Sequence, residues 1–362
     1  LSIQAGYSNA GELLLTRAGE LADWIVDRQY DLQPELMERY GPIGKVKTRQ
    51  DTLYSLQFLA ESVMVDSPKL FVQYISWLKI LLEGFGITSQ DLVINLQLID
   101  NALEELLEHP GKTMLRDHLL LGIERIKEPE EYPSFIRQDN PLYEEARTYL
   151  DLLSAGNRRE ALELVEELLE NEVAIKDIYK YIFQITQYEI GRLWQMGDMN
   201  VAQEHFCTAA TQFIMSSLYG RWIVHSRDGY RLLATCVGQE QHEIGIRMIA
   251  DFFEMEGWNT YYLGANVPQR NVIQAIIDYS VDLVALSATM AFHVHLIKDL
   301  IVAIRADERT AHVKIMVGGQ PFNMDGRLWQ EVGADGFAID ADQAVKAAAD
   351  LLSHIAQGGN TA

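Results

Sequence analysis

The chain of 362 residues carries 30 basic against 52 acidic side chains, a formal net charge of −22, and 48% of its residues are hydrophobic. That charge repels nucleic-acid backbones and anionic membrane surfaces, and no basic patch interrupts it, so direct nucleic-acid or membrane partners are not expected. No apolar run is long enough for a membrane span, no signal-peptide pattern opens the sequence, and Cys207 and Cys236 are too few for a disulfide framework, so a cytoplasmic protein is expected.

From Asn9 to about Ile126, apolar residues recur at three- and four-residue steps. Leu13, Leu14, Ala18, Leu21 and Ile25 make one such stripe, Leu53, Leu56, Leu59, Ala60 and Val63 a second, and Phe71, Ile75, Leu78 and Leu82 a third. Breaks at Gly41-Pro42, Asp66-Ser67-Pro68, Gly84 to Gly86 and His109-Pro110-Gly111 divide the stretch into four or five helices. Residues 1–127 are therefore expected to form an all-α, globin-like domain, with His109 and His118 as loop or cap residues. The proline-bearing stretch 128–141 reads as a linker.

Residues 142–227 resume the helical pattern, with breaks at Ala155-Gly156-Asn157, near Asn171 and at Gly197-Asp198, which predicts a four-helix bundle. Over 228–362 the texture changes. Short apolar runs at 231–237, 258–263, 283–287, 314–317 and 336–339 alternate with helical stretches at 242–256, 269–279, 293–305 and about 326–332, and a final helix follows the last run to Ile355. That alternation predicts a Rossmann-like, doubly wound parallel sheet, so the whole is multidomain, α plus α/β, with no output domain read within it.

The chemistry starts directly after the first strand with Glu240-Gln241-His242-Glu243-Ile244-Gly245, at the strand edge where doubly wound folds bind ligands. Behind it follow Gly264-Ala265-Asn266-Val267-Pro268, Ser287-Ala288-Thr289, Gly318-Gly319 and Gly333-Ala334-Asp335-Gly336. In this order the segments resemble the cobalamin-binding domains of the methionine-synthase type, with their Asp-x-His-x-x-Gly, Ser-x-Leu and Gly-Gly pattern. The resemblance implies that His242 replaces the cofactor's own base as lower axial ligand to cobalt, with Glu240 on its other nitrogen.

Neutral imidazole is a good donor to a metal, and a carboxylate partner fixes its tautomer and raises its basicity. Glu240 is one methylene longer than the family's aspartate, which predicts a longer or water-mediated bond to His242. Thr289 stands where the family has leucine, Ser287 is kept, and Gly318 and Gly319 are expected to let the backbone approach the nucleotide tail. Gly245, Gly264, Val267 and Gly336 complete the expected cofactor contacts, while His293 and His295 could reach the corrin edge or the neighbouring domain.

Before the sheet, Trp194 is followed after nine residues by Glu204-His205. Such residues on helices are more often core or solvated face. The spacing nevertheless resembles the Trp-x9-Glu-His signature of adenosylcobalamin-dependent photoreceptors, the light-responsive MerR-type repressors. The resemblance implies that Trp194, Glu204 and His205 line the cofactor's upper face, and that light breaks the Co–C bond and shifts the cap. A histidine that captures cobalt in those repressors is here Gln195, leaving His205 or water for that role.

The first half, through Thr48-Arg49-Gln50-Asp51-Thr52-Leu53 to Leu82, resembles photocobilins, which pair cobalamin with a bilin. By that resemblance Tyr54, Phe58, Tyr74 and Trp77, edged by Lys45, Lys47 and Arg49, would hold biliverdin. The contact would be noncovalent, since no cysteine precedes Cys207. The expected function is light sensing without catalysis, through a light-dependent homo-oligomer, dimer or higher, and a separate signalling partner. The rival readings are a corrinoid methyl carrier serving a methyltransferase, and a cofactor-free interaction module.

Overall fold

A computed structural model describes residues 3–108, 110–222 and 229–358, with side chains from 9 to 353. His109 and the expected boundary at 227/228 lie outside the described residues.

Five helices come first: α1 (Ile3–Leu32), α2 (Glu35–Met64), α3 (Pro68–Gly84), α4 (Ser89–Leu106) and α5 (Lys112–Ile126). The break expected at Gly41-Pro42 is a kink within α2, where Gly41 leaves the helical backbone at φ 61° and Pro42 withholds a donor. Helix α4 starts at a capping box, with Thr88 Oγ1 accepting from the Asp91 N–H and Asp91 accepting in return. His118 is no loop residue: it lies buried in α5 and shares a 3.0 Å hydrogen bond with Ser62, and burial depresses its pKa.

Residues 128–141 are irregular, as the prolines require, but they form a pinned strap rather than a loose linker. The Phe135 N–H donates to Glu189 Oε2 at 2.8 Å, Asn140 Nδ2 donates to the Tyr181 carbonyl at 2.8 Å, and Ile136 is buried. The bundle follows as α6 (Tyr143–Ser154), α7 (Arg158–Glu170), a third helix and α10 (Val201–Leu218). The third helix is continuous from α8 (Ile175–Ile178) through a π-helical turn, Tyr179–Gln184, into α9 (Ile185–Gln195).

The sheet domain runs β1 (Arg231–Cys236), α11 (Ile244–Met255), β2 (Asn259–Gly264), α12 (Gln269–Tyr279), β3 (Leu283–Ser287), α13 (Val294–Ala306), β4 (Lys314–Gly318), α14 (Gln320–Met324), α15 (Leu328–Glu331), β5 (Gly336–Phe337) and α16 (Ala341–Gly358). The five strands are all parallel in the order β2-β1-β3-β4-β5. Strands β1 and β3 are buried from Leu232 to Cys236 and from Leu283 to Ser287, and mostly apolar there, because both their faces are covered. Leu232, Ala234 and Cys236 face α11 and α16, whereas Leu233, Val284, Leu286 and Val317 face α12 and α13.

The second of these faces continues without a gap into the core of α1–α5, where Phe58, Phe71, Tyr74 and Ile75 belong to the same buried cluster as Ala291, Val294 and Ile297. Contacts at both ends make that union. The bundle has its own core of Tyr149, Tyr179, Phe183 and Ile214, which closes on Met248 and Phe252 of α11. Three layers therefore meet around the carboxyl ends of β1 and β3, the switch point of the strand order, where ligands bind in such sheets.

Candidate functional site

His242 stands in the loop after β1, just ahead of α11, and Glu240 is the hub that fixes it. The Glu240 carboxylate is 0% exposed. Its Oε1 accepts from His242 Nδ1 at 2.6 Å and from the backbone N–H groups of Gln241 and His242 at 3.0 Å each. Its Oε2 accepts from the N–H groups of Thr289 and Met290 at 2.8 and 3.0 Å and from His293 Nδ1 at 3.1 Å. The contact to His242 is direct and short, against the expectation of a longer or bridged one. The extra methylene carries the carboxylate deeper, onto the N–H groups that follow β3.

Burial alone would raise the pKa of Glu240, but the bonds from His242, His293 and the Met290 N–H outweigh it and hold the carboxyl far below its usual range. The bond to Glu240 raises the pKa of His242 against the effect of its own burial, and the charges of Glu240 and Glu204 add to that. With Nδ1 committed as donor, Nε2 is the nitrogen left for a metal, and the His242 side chain is 57% exposed on the cleft side. A fixed tautomer, a free Nε2 and a buried carboxylate behind it form the donor set a histidine-ligated cobalt requires. Gly245, where an added Cβ would meet nothing within 4 Å, leaves open space beside it.

The surrounding loops are tied to one another. The Asn266 N–H donates to the Glu240 carbonyl at 3.1 Å, and the Gln239 N–H donates to Asn266 Oδ1 at 2.8 Å, so the loop bearing Val267 packs over that of Gly238. Gly264 takes φ +78°, and a side chain there would press on Glu243. Ser287 ends β3 in register with Gly318. Gly319 takes φ +102°, and a Cβ there would strike the Ala288 carbonyl oxygen. The glycine is thus demanded by a neighbouring loop of the protein itself, a reason other than the expected approach to a nucleotide tail. Gly336 is not brought to these loops, since it lies within β5 against Leu351 of α16.

The cap side explains its own spacing. Helix α9 ends at Gly197, φ +81°, and α10 starts at the Asn200 capping box with Gln203. That turn puts Trp194 in the last turn of α9 and Glu204 in the first turn of α10. Glu204 accepts from Thr208 Oγ1 at 3.0 Å, pairs with the exposed His205, and is near enough to influence His242. Gln195 is no stand-in for a cobalt-capturing histidine: it is 1% exposed and its Nε2 donates to the Trp77 carbonyl at 2.8 Å. Trp194 stacks on Trp77 at 6.2 Å.

The residues given to a bilin are largely engaged with one another. Phe58 and Tyr74 stack at 3.9 Å within the core, and Tyr74 bonds Ser55 at 2.9 Å. Arg49 pairs with Asp23 and Lys45 with Asp27, both on α1, while Tyr54 is exposed. Along α2, at the helical rise, Lys45 lies about 20 Å and Arg49 about 14 Å from Phe58. Lys47 lies on the same distant stretch of α2.

Sequence reasoning missed Glu243, which accepts from Gln212 of α10 at 2.7 Å and from the Tyr262 hydroxyl at 3.0 Å, so tying cap, loop and sheet. It also missed the bond from His293 to Glu240, whereas His295 reaches the neighbouring domain as expected, through Glu61 of α2. These partners are far apart in sequence, and no local pattern marks them.

The comparisons with known proteins bear on what such a donor set holds. Two family models, each described as a B12 binding domain, match the chain over residues 145–219 and 230–349. The chain thus carries a B12-binding domain together with its helical cap, and binds a cobalamin-type corrinoid. Dimethylamine corrinoid protein 2 of Methanosarcina acetivorans is 30% identical over 112 residues, 31% of this chain and 50% of that protein. The match therefore spans half the length of that relative. Dimethylamine corrinoid protein 1 of the same organism is 24% identical over 200 residues, 54% of this chain and 92% of that protein. Among solved structures, the Methanosarcina barkeri monomethylamine corrinoid protein shares the fold, with TM-score 0.52 and 22% identity over 58% of this chain and 99% of that one. Among the described residues no helix is long and apolar enough to cross a membrane.

Proposed function

We propose that the chain is a corrinoid methyl carrier that holds cobalt through His242 and offers the opposite face, beneath α9 and α10, to a partner methyltransferase. The observation that carries this reading is the fixed imidazole of His242, with Nδ1 bound at 2.6 Å to a fully buried carboxylate and Nε2 free. The names of the relatives, dimethylamine and monomethylamine corrinoid proteins, support the carrier role over the sensor expected from the sequence. A bound cobalamin supplies a cobalt that accepts and gives up a methyl group. The chain's own residues bind it, hold the ligand tautomer through Glu240 and screen the reacting face from water through Trp194 and Glu204. They carry out no covalent step.

The test loads the purified chain with hydroxocobalamin, reduces it, and follows methylation by absorbance when a corrinoid methyltransferase and a methylamine are added. Methylation that is lost in His242→Ala is the expected result. A chain that binds cobalamin but takes no methyl group from any such system overturns the carrier role.

A second reading, an adenosylcobalamin light sensor, is favoured by one observation: the upper-face residue Trp194 stacks directly on Trp77 of the N-terminal layer. Any collapse of the cap after loss of an upper ligand would be felt there, and could change a homo-oligomer or a signalling partner. Green illumination of the adenosylcobalamin-loaded chain, read by absorbance and by size-exclusion chromatography, separates the readings. Noncovalent biliverdin in the same layer would require the Phe58–Tyr74 stack to open, and addition of biliverdin would then give a bound, red-absorbing form.

A further inference from the structure

The carboxylate behind His242 is shared by a second histidine. His293 is buried, and its Nδ1 donates to Glu240 Oε2 at 3.1 Å, on the oxygen that His242 does not use. Its ring meets that of Phe292 edge-on at 4.4 Å, and Phe292 meets Phe58 of α2 at 5.0 Å in a T-shaped contact. One turn further along α2, Glu61, 1% exposed, accepts from the His295 N–H at 2.7 Å and from His295 Nδ1 at 2.6 Å. The segment bearing His293 is therefore held by the N-terminal layer at two points, three residues apart on one helix face.

The same layer reaches the other side of the site. Phe58 stacks on Tyr74, Tyr74 lies 6.3 Å from Trp77, and Trp77 lies 6.2 Å from Trp194. Helices α2 and α3 thus contact both the segment bearing His293 and, in the cap, Trp194.

We propose that His293 is a positioning residue for the cobalt ligand, and that the N-terminal layer sets its place through Phe58 and Phe292. The inference rests on the corrinoid reading of His242. A carboxylate gripped on one oxygen alone can rotate, and the imidazole it orients turns with it. His293, with the Thr289 and Met290 N–H groups, stops that rotation. Loss of such an outer partner typically weakens metal binding about 10–100-fold.

The test uses the full chain with nitrogen-15-labelled histidine, loaded with paramagnetic cob(II)alamin. Electron paramagnetic resonance then reads the axial nitrogen: labelled histidine on cobalt splits each cobalt line into a doublet, the cofactor's unlabelled base into a triplet. Triplets in the unaltered chain would sink the His242 reading itself, separately from the role of His293. Given doublets, His293→Ala is expected to lose part of the doublet signal and to raise the Kd for cobalamin about tenfold.

His293→Asn, whose amide nitrogen reaches the position of Nδ1, is expected to restore both. His293→Gln keeps the bulk but moves the donor away, and should behave as the alanine variant does; it decides the matter if His293→Ala does not fold. Phe58→Leu should move both readouts the same way by a smaller factor, although the residue lies outside the matched cobalamin domains. Full doublets and an unchanged Kd in both His293→Ala and His293→Gln overturn the proposal, as does an asparagine variant no better than the glutamine one. Unchanged readouts in Phe58→Leu overturn its second part, the control by the N-terminal layer.

Discussion

Glu240→Ala removes the acceptor for two imidazole N–H groups and four backbone N–H groups, those of Gln241, His242, Thr289 and Met290. The donors of the His242 loop lie at the cleft and can turn to water. Those of Thr289, Met290 and His293 sit on the buried side, where each stranded donor costs about 1–3 kcal/mol. Partial hydration of the small void offsets part of that sum, so the loss expected for the cofactor-free chain is about 3–5 kcal/mol, the usual cost of breaking a buried charged network.

His242→Ala is the internal control. Its side chain is 57% exposed, and its loss deletes one charge-assisted bond while leaving Oε1 with two backbone donors. The expected cost is about 1–2 kcal/mol. Urea unfolding of the cofactor-free variants by circular dichroism ranks the two, and a cobalamin titration should find binding impaired in both. If His242→Ala destabilises the chain as much as Glu240→Ala, the buried carboxylate is not what holds these loops together and the reasoning fails.

Gly319→Ala should cost about 1–3 kcal/mol, seen as a lowered Tm, because the left-handed backbone and the Ala288 carbonyl both reject a Cβ. Asp251, buried under the bundle and bonded by the Tyr179 hydroxyl at 2.8 Å, has its pKa pushed up to about 6 by burial. A carboxyl whose folded pKa is raised loses stability as pH rises from about 4 through 6, so Asp251→Asn should match the parent below that window and exceed it by up to about 3 kcal/mol at pH 8. Equal urea midpoints for the two chains at pH 8 would refute the assignment. Glu61→Ala unpins His295 and should cost about 3–5 kcal/mol while hastening protease cleavage in the strap at 128–141. Unchanged cleavage would mean that this pair does not hold the layers together.

The alternation of short apolar runs with helices made the sheet legible, because its central strands are covered on both faces and so are mostly apolar. His242 was legible for a different reason: its motif is local, packed into one loop after β1. What escaped was whatever depends on docking between layers. Gln195 was read correctly as no cobalt ligand, but its partner, the Trp77 carbonyl 118 residues away in sequence, was not legible. Glu240 read as a carboxylate too long for its partner, because the N–H groups of Thr289 and Met290 that draw it inward lie about 50 residues on. His118 misled in the same way, since proline and glycine mark where a helix stops but say nothing about what the next segment rests on.

The buried cluster that passes unbroken from α1–α5 into the α12–α13 face of the sheet bears on how the chain comes apart. Two segments that share one apolar interior lose it together, so the N-terminal helices and that half of the sheet should unfold as one cooperative unit, with hydrogen exchange protected to a similar depth in both. The bundle meets the sheet domain over a smaller seam, at Met248 and Phe252 of α11 and at Ala341, so opening it costs less than parting the N-terminal helices from the sheet. A fragment beginning at the bundle would turn Ala291, Phe292 and Val294 out into water and so acquire a sticky face, whereas opening of the bundle would bare His242 and the α11 face beneath it.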